Sequence, residues 1–283
     1  MWLWMSVCSA LLLGIYDVAK KEALKRNGVY WILVSATALT AVFLSPCLSH
    51  GSLSDHLSLV LKAVLVSTSW VSGLYALKHL PLTTVSTIKA SRPMFVVIFS
   101  IILFGERLNL LQWLGVAIVM AALFLSSRAH KHETDKETSA KGMTFMVISV
   151  LSGSASALYD KFILQHLEPL FVQSWTNIYI TVLLALVMLV QYLADKEKFE
   201  PFRWDWRIPL IAVLITASDM LYFFSVKDPD ALLSVISMIR RSSVLITFLF
   251  GALVFKEGHI KDKALDMALM MAGIALLLFG SAA

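Results

Sequence analysis

Charged residues are scarce in this sequence: of its 283 residues, only 15% are Asp, Glu, Lys or Arg. A soluble domain carries about 25% charged residues, so the composition excludes a sizeable soluble domain. Stretches such as Met94–Phe104 and Ala268–Phe279 contain no charge at all. Apolar stretches of about 20 residues are what the core of a bilayer requires. The composition therefore predicts an all-α integral membrane protein.

Residues that carry enzyme chemistry are also few. The two cysteines, Cys8 and Cys47, lie in apolar stretches, which disfavours a disulfide framework or a metal site. The histidines lie in or near connections without ligand spacing, and no glycine-rich phosphate loop is present. We therefore expect no catalytic residue, no metal and no cofactor. A membrane-embedded transferase acting on a lipid phosphate stays open as an alternative, because such chemistry also uses intramembrane arginines.

Ten apolar segments alternate with polar connections. The first segment contains Asp17 and ends in Lys20-Lys21 rather than in a small-residue cleavage site, so we expect a retained helix and not a cleaved signal peptide. The predicted membrane spans are Leu3–Ala19, Gly28–Leu48, Leu57–Leu77, Leu82–Phe104, Leu110–Ser127, Gly142–Tyr159, Pro169–Leu193, Ile208–Val226, Ala231–Phe255 and Ala264–Ser281.

The second half of the chain repeats the polar pattern of the first. A shift of 143 residues places Tyr16-Asp17 on Tyr159-Asp160. A shift of 151 places IKASRPMFVVIFSIILFGE on IRRSSVLITFLFGALVFKE. The second shift aligns Ser86 with Ser237, Lys89 with Arg240, Ser91 with Ser242 and Glu106 with Glu257.

These matches predict two copies of one five-helix unit. The copies would be residues 1–127 and 142–283, joined by a charged linker at 128–141. Because five is odd, each helix and its copy would cross the membrane in opposite directions. Inverted repeats of this kind are the architecture of secondary transporters, which bind their substrate near the midplane where the halves meet.

The helix count, the Tyr-Asp pair late in the first helix and the FGERL that opens the fifth helix resemble the drug/metabolite transporter superfamily, in its EamA-type branch. The likeness covers nearly the whole chain and is strongest in PMFVVIFSIILFGERLNLLQWLGVAIVMAALFL (93–125). The second copy departs from the pattern, since FKEGHIKDKAL (255–265) keeps the acidic residue without GERL, and Val244 stands opposite Pro93. The resemblance implies ten transmembrane helices, an inward-pointing central cavity and alternating access, without implying one substrate.

Four cations lie in the predicted membrane interior: Lys89 and Arg92 in the fourth span, and Arg240 and Arg241 in the ninth. Each would cost roughly 2.5–3.5 kcal/mol at the centre of a lipid-facing helix. They must therefore face water, anionic partners or a ligand. Arg240 lies about 100° around the helix from Arg241. Helical spacing gives two polar stripes: Ser86, Lys89 and Arg92 in the fourth span, and Ser234, Ser237 and Arg241 in the ninth.

Three carboxylates can balance these cations. Asp17 and Asp160 lie near span ends, whereas Asp219 lies inside the eighth span on a stripe with Thr216 and Tyr222. Four cations against at most three anions predict a positive, partly dry cavity, in which low dielectric strengthens attraction to an anion. The guanidinium fork of arginine matches carboxylate or phosphate oxygens. We therefore predict a secondary transporter of a small polar, anionic metabolite.

Alternatives to the anion site stay open at this point. The charges could instead form closed salt bridges between the halves, with a non-anionic solute such as an amino acid or a drug as substrate. Proton coupling through Asp219, with Asp17 and Asp160 as further candidates, and exchange without protons are equally open. The expected partners are a small molecule and the bilayer of a bacterial plasma (inner) membrane, and not nucleic acid. The chain would act as a monomer or homodimer.

Aromatic side chains are further candidates for lining the cavity. Tyr16 and Tyr159 lie near span ends, where tyrosines either contact a ligand or anchor the helix at the membrane interface. Trp70 in the third span and Tyr222 in the eighth could line the cavity or pack in the core. SGSASA (152–157) is a small-residue patch that favours close helix packing.

The adjacent arginines carry a second, shorter resemblance. Arg240-Arg241 is similar to the adjacent basic residues on the ninth helix of phosphate-type translocators in the same superfamily, which grip a substrate phosphate. Lys89 is similar to their basic residue on the fourth helix. The resemblance implies that these three residues contact the substrate.

Basic residues predict how the chain is oriented. Sixteen Lys and Arg residues fall at the odd-numbered connections, which follow spans 1, 3, 5, 7 and 9, and four fall at the even-numbered ones: Lys62, Arg107, Lys161 and Lys227. The positive-inside rule then places the odd connections in the cytoplasm and both termini outside. The family pattern usually places both termini inside. We follow the charge bias.

Overall fold

The computed structural model describes residues 1–24, 26–79, 88, 91–128, 140–194, 201–243, 245–246 and 260–282. Ten α-helices and one 3₁₀ turn (Ser45–Cys47) occupy these residues, and no strand occurs among them. The helices are α1 (Trp2–Ala23), α2 (Val29–Leu44), α3 (Leu53–His79), α4 (Arg92–Phe104), α5 (Leu110–Arg128), α6 (Ala140–Leu164), α7 (Pro169–Ala194), α8 (Arg207–Lys227), α9 (Leu233–Arg241) and α10 (Ile260–Ala282).

Six of these helices are long and apolar enough to cross a bilayer: α1, α2, α3, α6, α7 and α8. The described parts of α4, α5 and α10 supply shorter apolar helices. This set of helices makes the chain an integral, multi-pass membrane protein. The number of crossings, ten, stays a prediction from the sequence.

The packing of the helices follows the predicted repeat. The main packed pairs are α1 with α8, α3 with α6, α2 with α7, α4 with α9 and α5 with α10, followed by α3 with α7, α2 with α8, α4 with α6 and α1 with α9. If each helix of the first half is exchanged with its counterpart in the second half, α1 with α6, α2 with α7 and so on, the same set of packed pairs results. Two copies of one five-helix unit, packed around an approximate two-fold axis, produce this pattern.

Paired serines hold two equivalent helix pairs together. In the α1–α8 pair, the Ser9 hydroxyl donates to the Ser218 carbonyl at 2.8 Å, and the Ser218 hydroxyl donates to the Ser9 carbonyl at 2.9 Å. In the α3–α6 pair, Ser69 and Ser149 exchange the same two bonds at 2.7 and 2.6 Å. Small hydroxyl residues let the two backbones approach closely and satisfy their own polar groups in a lipid environment.

A matched irregularity interrupts the fourth and ninth spans, which the sequence predicts as continuous helices. At Ser91 the backbone N–H bonds to the Ile88 carbonyl at 3.1 Å, and at the aligned Ser242 it bonds to the Ile239 carbonyl at 2.9 Å. Both serine hydroxyls donate to the same carbonyls, each at 2.6 Å. We call the pair of hydrogen bonds at each of these serines the serine step. It places Arg92 at the start of α4, and it ends α9 at Arg241.

The connections gather at two ends of the molecule. At the first, which we call the odd end, Asn27 after α1 exchanges two 2.8 Å hydrogen bonds with the backbone of Arg203 before α8. Asp205 also lies there and accepts from the Arg207 N–H and guanidinium. Burial alone would raise the pKa of the Asp205 carboxyl, but those hydrogen bonds and the Arg207 charge outweigh burial and lower it.

The other end, which we call the even end, joins the even-numbered connections and both termini. Lys227 at the end of α8 bonds to Glu168 before α7 at 2.6 Å. The Ser225 hydroxyl donates to the Trp2 carbonyl, which places the start of α1 here. Asn109 donates to the Gly280 carbonyl, which places the end of α10 here as well. Among the described connections, the grouping that underlies the charge count is therefore present in the fold.

Candidate functional site

A cavity of about 500 Å³ lies between the two halves of the chain. Eight of the ten described helices line it, and α5 and α10 contribute no residue to its described wall. The lining reaches Lys20 and Val29, which lie within one turn of the odd-end connection between α1 and α2. Both the helices that carry the serine step and the helices joined by the serine pairs contribute to the wall.

Charged side chains from both halves meet in this cavity. Five cations and three carboxylates line it, which leaves an excess of two positive formal charges. The cations are Lys20, Lys62, Arg92, Arg240 and Arg241, and the carboxylates are Asp17, Asp160 and Asp219.

The Lys62–Asp160 ion pair joins α3 to α6. The Lys62 and Asp160 side chains are only 4% and 7% exposed, and the Lys62 ammonium also lies 4.6 Å from the centre of the Phe223 ring. This arrangement corrects two expectations. Lys62 is a buried residue of α3 rather than a basic residue of an even-numbered connection. Asp160 lies more than one turn inside α6, which continues to Leu164, and not at a helix end open to water.

A second ion pair joins α8 to α9. Asp219 accepts from the Arg240 guanidinium, which also lies 4.2 Å from the centre of the Tyr222 ring. The sequence suggests Asp219 as an internal partner for the cations and leaves open whether Arg241 pairs with it. In the structure Asp219 pairs with Arg240, one residue before Arg241. Asp17, from α1, is the carboxylate that acts electrostatically on Arg241.

Arg92 has a different environment from the other guanidinium groups. Its side chain donates to the backbone carbonyl of Gly153 on α6, and no carboxylate among the described residues lies within ion-pair distance. Arg240 and Arg241 both lie within electrostatic range of it. A Cβ added to Gly153 would contact the guanidinium group, so the small residue at this position makes room for Arg92. The small-residue patch SGSASA thus serves the site as well as helix packing.

The other candidate residues from the sequence fall into three groups. Tyr16, Trp70, Tyr222 and Ser237 line the cavity, with the Lys20 ammonium 5.5 Å from the centre of the Tyr16 ring. Tyr159 is not part of the described wall and stacks on Phe162 with ring centres 5.9 Å apart. Ser86, Lys89 and Glu257 lie outside the described residues.

Several polar residues of the wall were not singled out from the sequence. They include Lys62 and, on α7, Gln173, Thr176 and Asn177. The signal was available, because Gln173, Thr176 and Asn177 are polar residues at positions i, i+3 and i+4 of an apolar span and so share one helix face. Lys62 likewise interrupts an apolar span.

Glu106 fixes the start of α9 at the even end. Its carboxylate, 2% exposed, accepts from the Lys161 ammonium at 2.7 Å. It also accepts from the backbone N–H groups of Leu233 and Ser234 at 2.7 and 3.1 Å and from the Ser234 hydroxyl. In the repeat Glu106 follows the fourth span and aligns with Glu257. The structure adds that it caps α9, the helix that carries Arg240 and Arg241.

Comparison with known proteins now bears on this site. The model of the EamA-like transporter family matches the chain twice, over residues 1–128 and 140–279. The chain belongs to the EamA-like transporter family. A solved crystal structure shares the fold, with a TM-score of 0.79 and 14% identity, over 98% of this chain and 96% of the other. No curated protein matches the sequence.

Membership in the EamA-like transporter family confirms the resemblance seen in the sequence and makes the chain a membrane transporter of small molecules. Members of the family are transporters and not enzymes. The two matches of the family model correspond to the two five-helix halves that pack around the cavity. The geometry of the cavity therefore has to be interpreted as that of a transport protein.

Proposed function

We propose that this EamA-like transporter moves a small organic anion by alternating access, through the cavity between its two halves. The proposal rests above all on Arg92. Two carboxylates, Asp160 and Asp219, are already paired, with Lys62 and Arg240 respectively. Arg92 contributes a positive charge to the wall without a carboxylate partner among the described residues, and its own contact is to a neutral backbone carbonyl.

An anion is the ligand that this arrangement attracts. A buried guanidinium without a counter-charge is costly in a low-dielectric site, and a carboxylate or phosphate would offset that cost with two parallel hydrogen bonds. Arg241 lies near Arg92 and adds to the positive potential. Lys89 aligns with Arg240 in the repeat, lies outside the described residues, and stays part of the proposed cation cluster.

The serine step adds a second source of positive potential. Helix α4 begins at Arg92, and its N-cap Ser91 makes no side-chain hydrogen bond to the first turn. The N-terminus of a helix carries a partial positive charge from its unsatisfied N–H groups. Interrupted helices whose ends point at an anionic group near the midplane are a recurring device of secondary transporters.

In this conformation we infer that a substrate enters the cavity from the odd end. The lining of the cavity extends to Lys20 and Val29 near that end. At the even end, the Glu106–Lys161 and Glu168–Lys227 ion pairs tie neighbouring connections together. In the proposed cycle these contacts open when the odd end closes, and the substrate then leaves on the other side.

One observation favours a second candidate function, transport of a solute without net charge. The Lys62–Asp160 and Arg240–Asp219 pairs are closed salt bridges that join helices, as a purely structural network would be. In that case Arg92 would be a positioning residue for Gly153 and not a ligand for substrate.

Tracer counterflow in liposomes distinguishes the two functions. Purified protein is reconstituted, and labelled organic anions and size-matched neutral and cationic solutes are compared for exchange against an internal excess of the same compound. Anion-selective counterflow, absent from protein-free liposomes and retained in an Asp230→Asn control at an exposed position between α8 and α9, supports the proposal. Counterflow of neutral or cationic solutes with none for anions contradicts it.

A further inference from the structure

Two side-chain oxygens on α7 are buried beside the cavity. The Gln173 side chain is 1% exposed and the Thr176 side chain 2% exposed, and both line the cavity. Neither the Gln173 Oε1 nor the Thr176 Oγ1 has a hydrogen-bond partner among the described residues. Buried polar atoms are satisfied in the great majority of cases, so two unsatisfied acceptors one helical turn apart require an explanation.

The nitrogen of the Gln173 side-chain amide holds that side chain in place. Its Nε2 donates to the Thr216 carbonyl on α8 at 2.8 Å, which fixes the side chain and leaves the Oε1 as an acceptor. The Asn177 amide donates to the Gln173 backbone carbonyl at 2.8 Å. Gln173, Thr176 and Asn177 lie on the face of α7 that lines the cavity, as their spacing along the helix requires.

This polar surface and the arginines belong to different walls. Helix α7 packs against α2, α3 and α8, whereas α4, which carries Arg92, packs against α6 and α9. Gln173, Thr176 and Asn177 carry no formal charge, and the carboxylate nearest to this surface along α8, Asp219, is already paired with Arg240. An uncharged donor therefore suits the surface better than an ammonium group, which would require a free carboxylate.

We propose that Gln173 and Thr176 form a subsite for an uncharged hydrogen-bond donor, a hydroxyl or an amide N–H, on the transported anion. The inference rests on the proposed function and narrows its substrate class to small organic anions that carry a hydroxyl or amide group away from the acidic group. The acidic group binds at Arg92, and the donor bonds to the Gln173 Oε1 while its own oxygen, where it is a hydroxyl, accepts from the Thr176 hydroxyl. An analogue without the donor leaves them unsatisfied, which is how a polar site discriminates between ligands.

Matched anions that differ by one hydroxyl test the subsite. The probes are malate and succinate, 4-hydroxybutyrate and butyrate, and 3-hydroxypropyl phosphate and propyl phosphate. Their dissociation constants are measured from the shift in unfolding temperature of the purified protein in nanodiscs. The hydroxylated member of a binding pair should bind about 2- to 12-fold more tightly, the range for one uncharged hydrogen bond.

Thr176→Val is the decisive variant because it is nearly isosteric and removes a hydroxyl that has no partner in the described structure. It should fold normally and lose most of the preference for the hydroxylated anion, while its affinity for the other anion stays unchanged. Gln173→Met should act in the same direction. Ser100→Ala is the matched control, since the Ser100 hydroxyl is also buried and unpartnered but lies outside the described cavity wall.

The outcomes separate the subsite from the proposed function. Equal affinity for both members of every binding pair, or an unchanged preference in both α7 variants, overturns the subsite and leaves anion transport standing. If one variant fails to fold, the other decides. If no anion of any pair stabilises the wild-type protein, the proposed function fails, and the subsite fails with it.

Discussion

Single residues decide which charges of the cavity hold the fold together and which are available to a ligand. Lys62 and Asp160 form a pair with both side chains almost fully buried, so each is the counter-charge that makes the other tolerable. The Arg92 guanidinium donates to the Gly153 carbonyl and has no carboxylate partner in the described part of the chain. Loss of Lys62 should therefore destabilise the fold, whereas loss of the Arg92 charge should not.

The first prediction concerns the paired charge. Lys62→Gln should lower the free energy of unfolding by about 3–5 kcal/mol, because it leaves Asp160 buried without a counter-charge. A second change, Asp160→Asn, should restore most of the stability by removing the orphaned carboxylate. The measurement is the unfolding free energy of single and double variants in detergent.

The control for this cycle is the exposed pair at the even end. Glu168 is 76% exposed in its pair with Lys227, so Lys227→Gln should cost less than about 1 kcal/mol. Equal losses for Lys62→Gln and Lys227→Gln would show that burial does not set the strength of the Lys62–Asp160 pair.

At this scale the sequence predicts less than it does for the fold. It identifies Arg92, Arg240, Arg241 and Asp219, because charges inside apolar spans are conspicuous. It does not predict which arginine pairs with Asp219, since adjacent residues point about 100° apart and the answer depends on how α8 and α9 pack. It places Asp160 near a helix end because the apolar run stops at Tyr159, whereas hydrogen bonding carries α6 on to Leu164.

Among the elements, α9 depends most clearly on a residue from the other half of the chain. Glu106 follows α4 and accepts two backbone N–H groups from the first turn of α9 together with the Lys161 ammonium. A carboxylate at a helix N-terminus satisfies unpaired donors and interacts favourably with the helix dipole.

The second prediction follows from this cap. Glu106→Ala should destabilise the protein by about 3 kcal/mol, because Lys161 loses its buried partner and α9 loses its cap. Lys161→Met in the same chain should recover part of that loss, since it removes the unpaired ammonium. Thermal unfolding in detergent measures both effects, and Glu168→Gln serves as an exposed carboxylate control. A neutral Glu106→Ala change would mean that α9 is fixed by other contacts.

The repeat correctly predicts that Ser91 and Ser242 occupy equivalent positions in the two halves. The shift of 151 residues aligns Ser91 with Ser242, and both positions make the same pair of hydrogen bonds to a carbonyl three residues earlier. The helix break itself is not predicted, because serine within an apolar span is compatible with a continuous helix. A serine hydroxyl can donate to a carbonyl three residues earlier both in a continuous helix and at a break, so the residue type alone does not reveal the break.

For the molecule as a whole, the sequence predicts the two-fold plan and a cavity between the halves. The packed helix pairs stay the same when the two halves are exchanged, and the family model matches the chain twice. Both observations agree with that plan. The basic residues still favour the odd-numbered connections when Lys62, which is buried in α3, is left out of the count.

The third prediction is that the odd end lies in the cytoplasm. A single cysteine at Thr134, in the charged linker outside the described residues, should stay unlabelled by an impermeant thiol reagent in intact cells and react after lysis. Cys8 and Cys47, both exposed, have to be replaced first. A cysteine placed at Asp230, an exposed position in the connection between α8 and α9, is the control and should react in intact cells. The reverse pattern would show that the usual family orientation applies.

The measurement that tests the central claim most directly is the effect of Arg92→Gln on folding and on transport in the same preparation. The account predicts an unchanged or slightly higher unfolding temperature, since no carboxylate among the described residues is left without its partner. It also predicts anion binding weakened by roughly 10- to 150-fold in liposome counterflow, which corresponds to the loss of a charge-assisted contact. Arg92→Lys should restore little, because lysine lacks the planar fork. A variant that transports anions as well as the wild type, or one that fails to fold, would contradict the account.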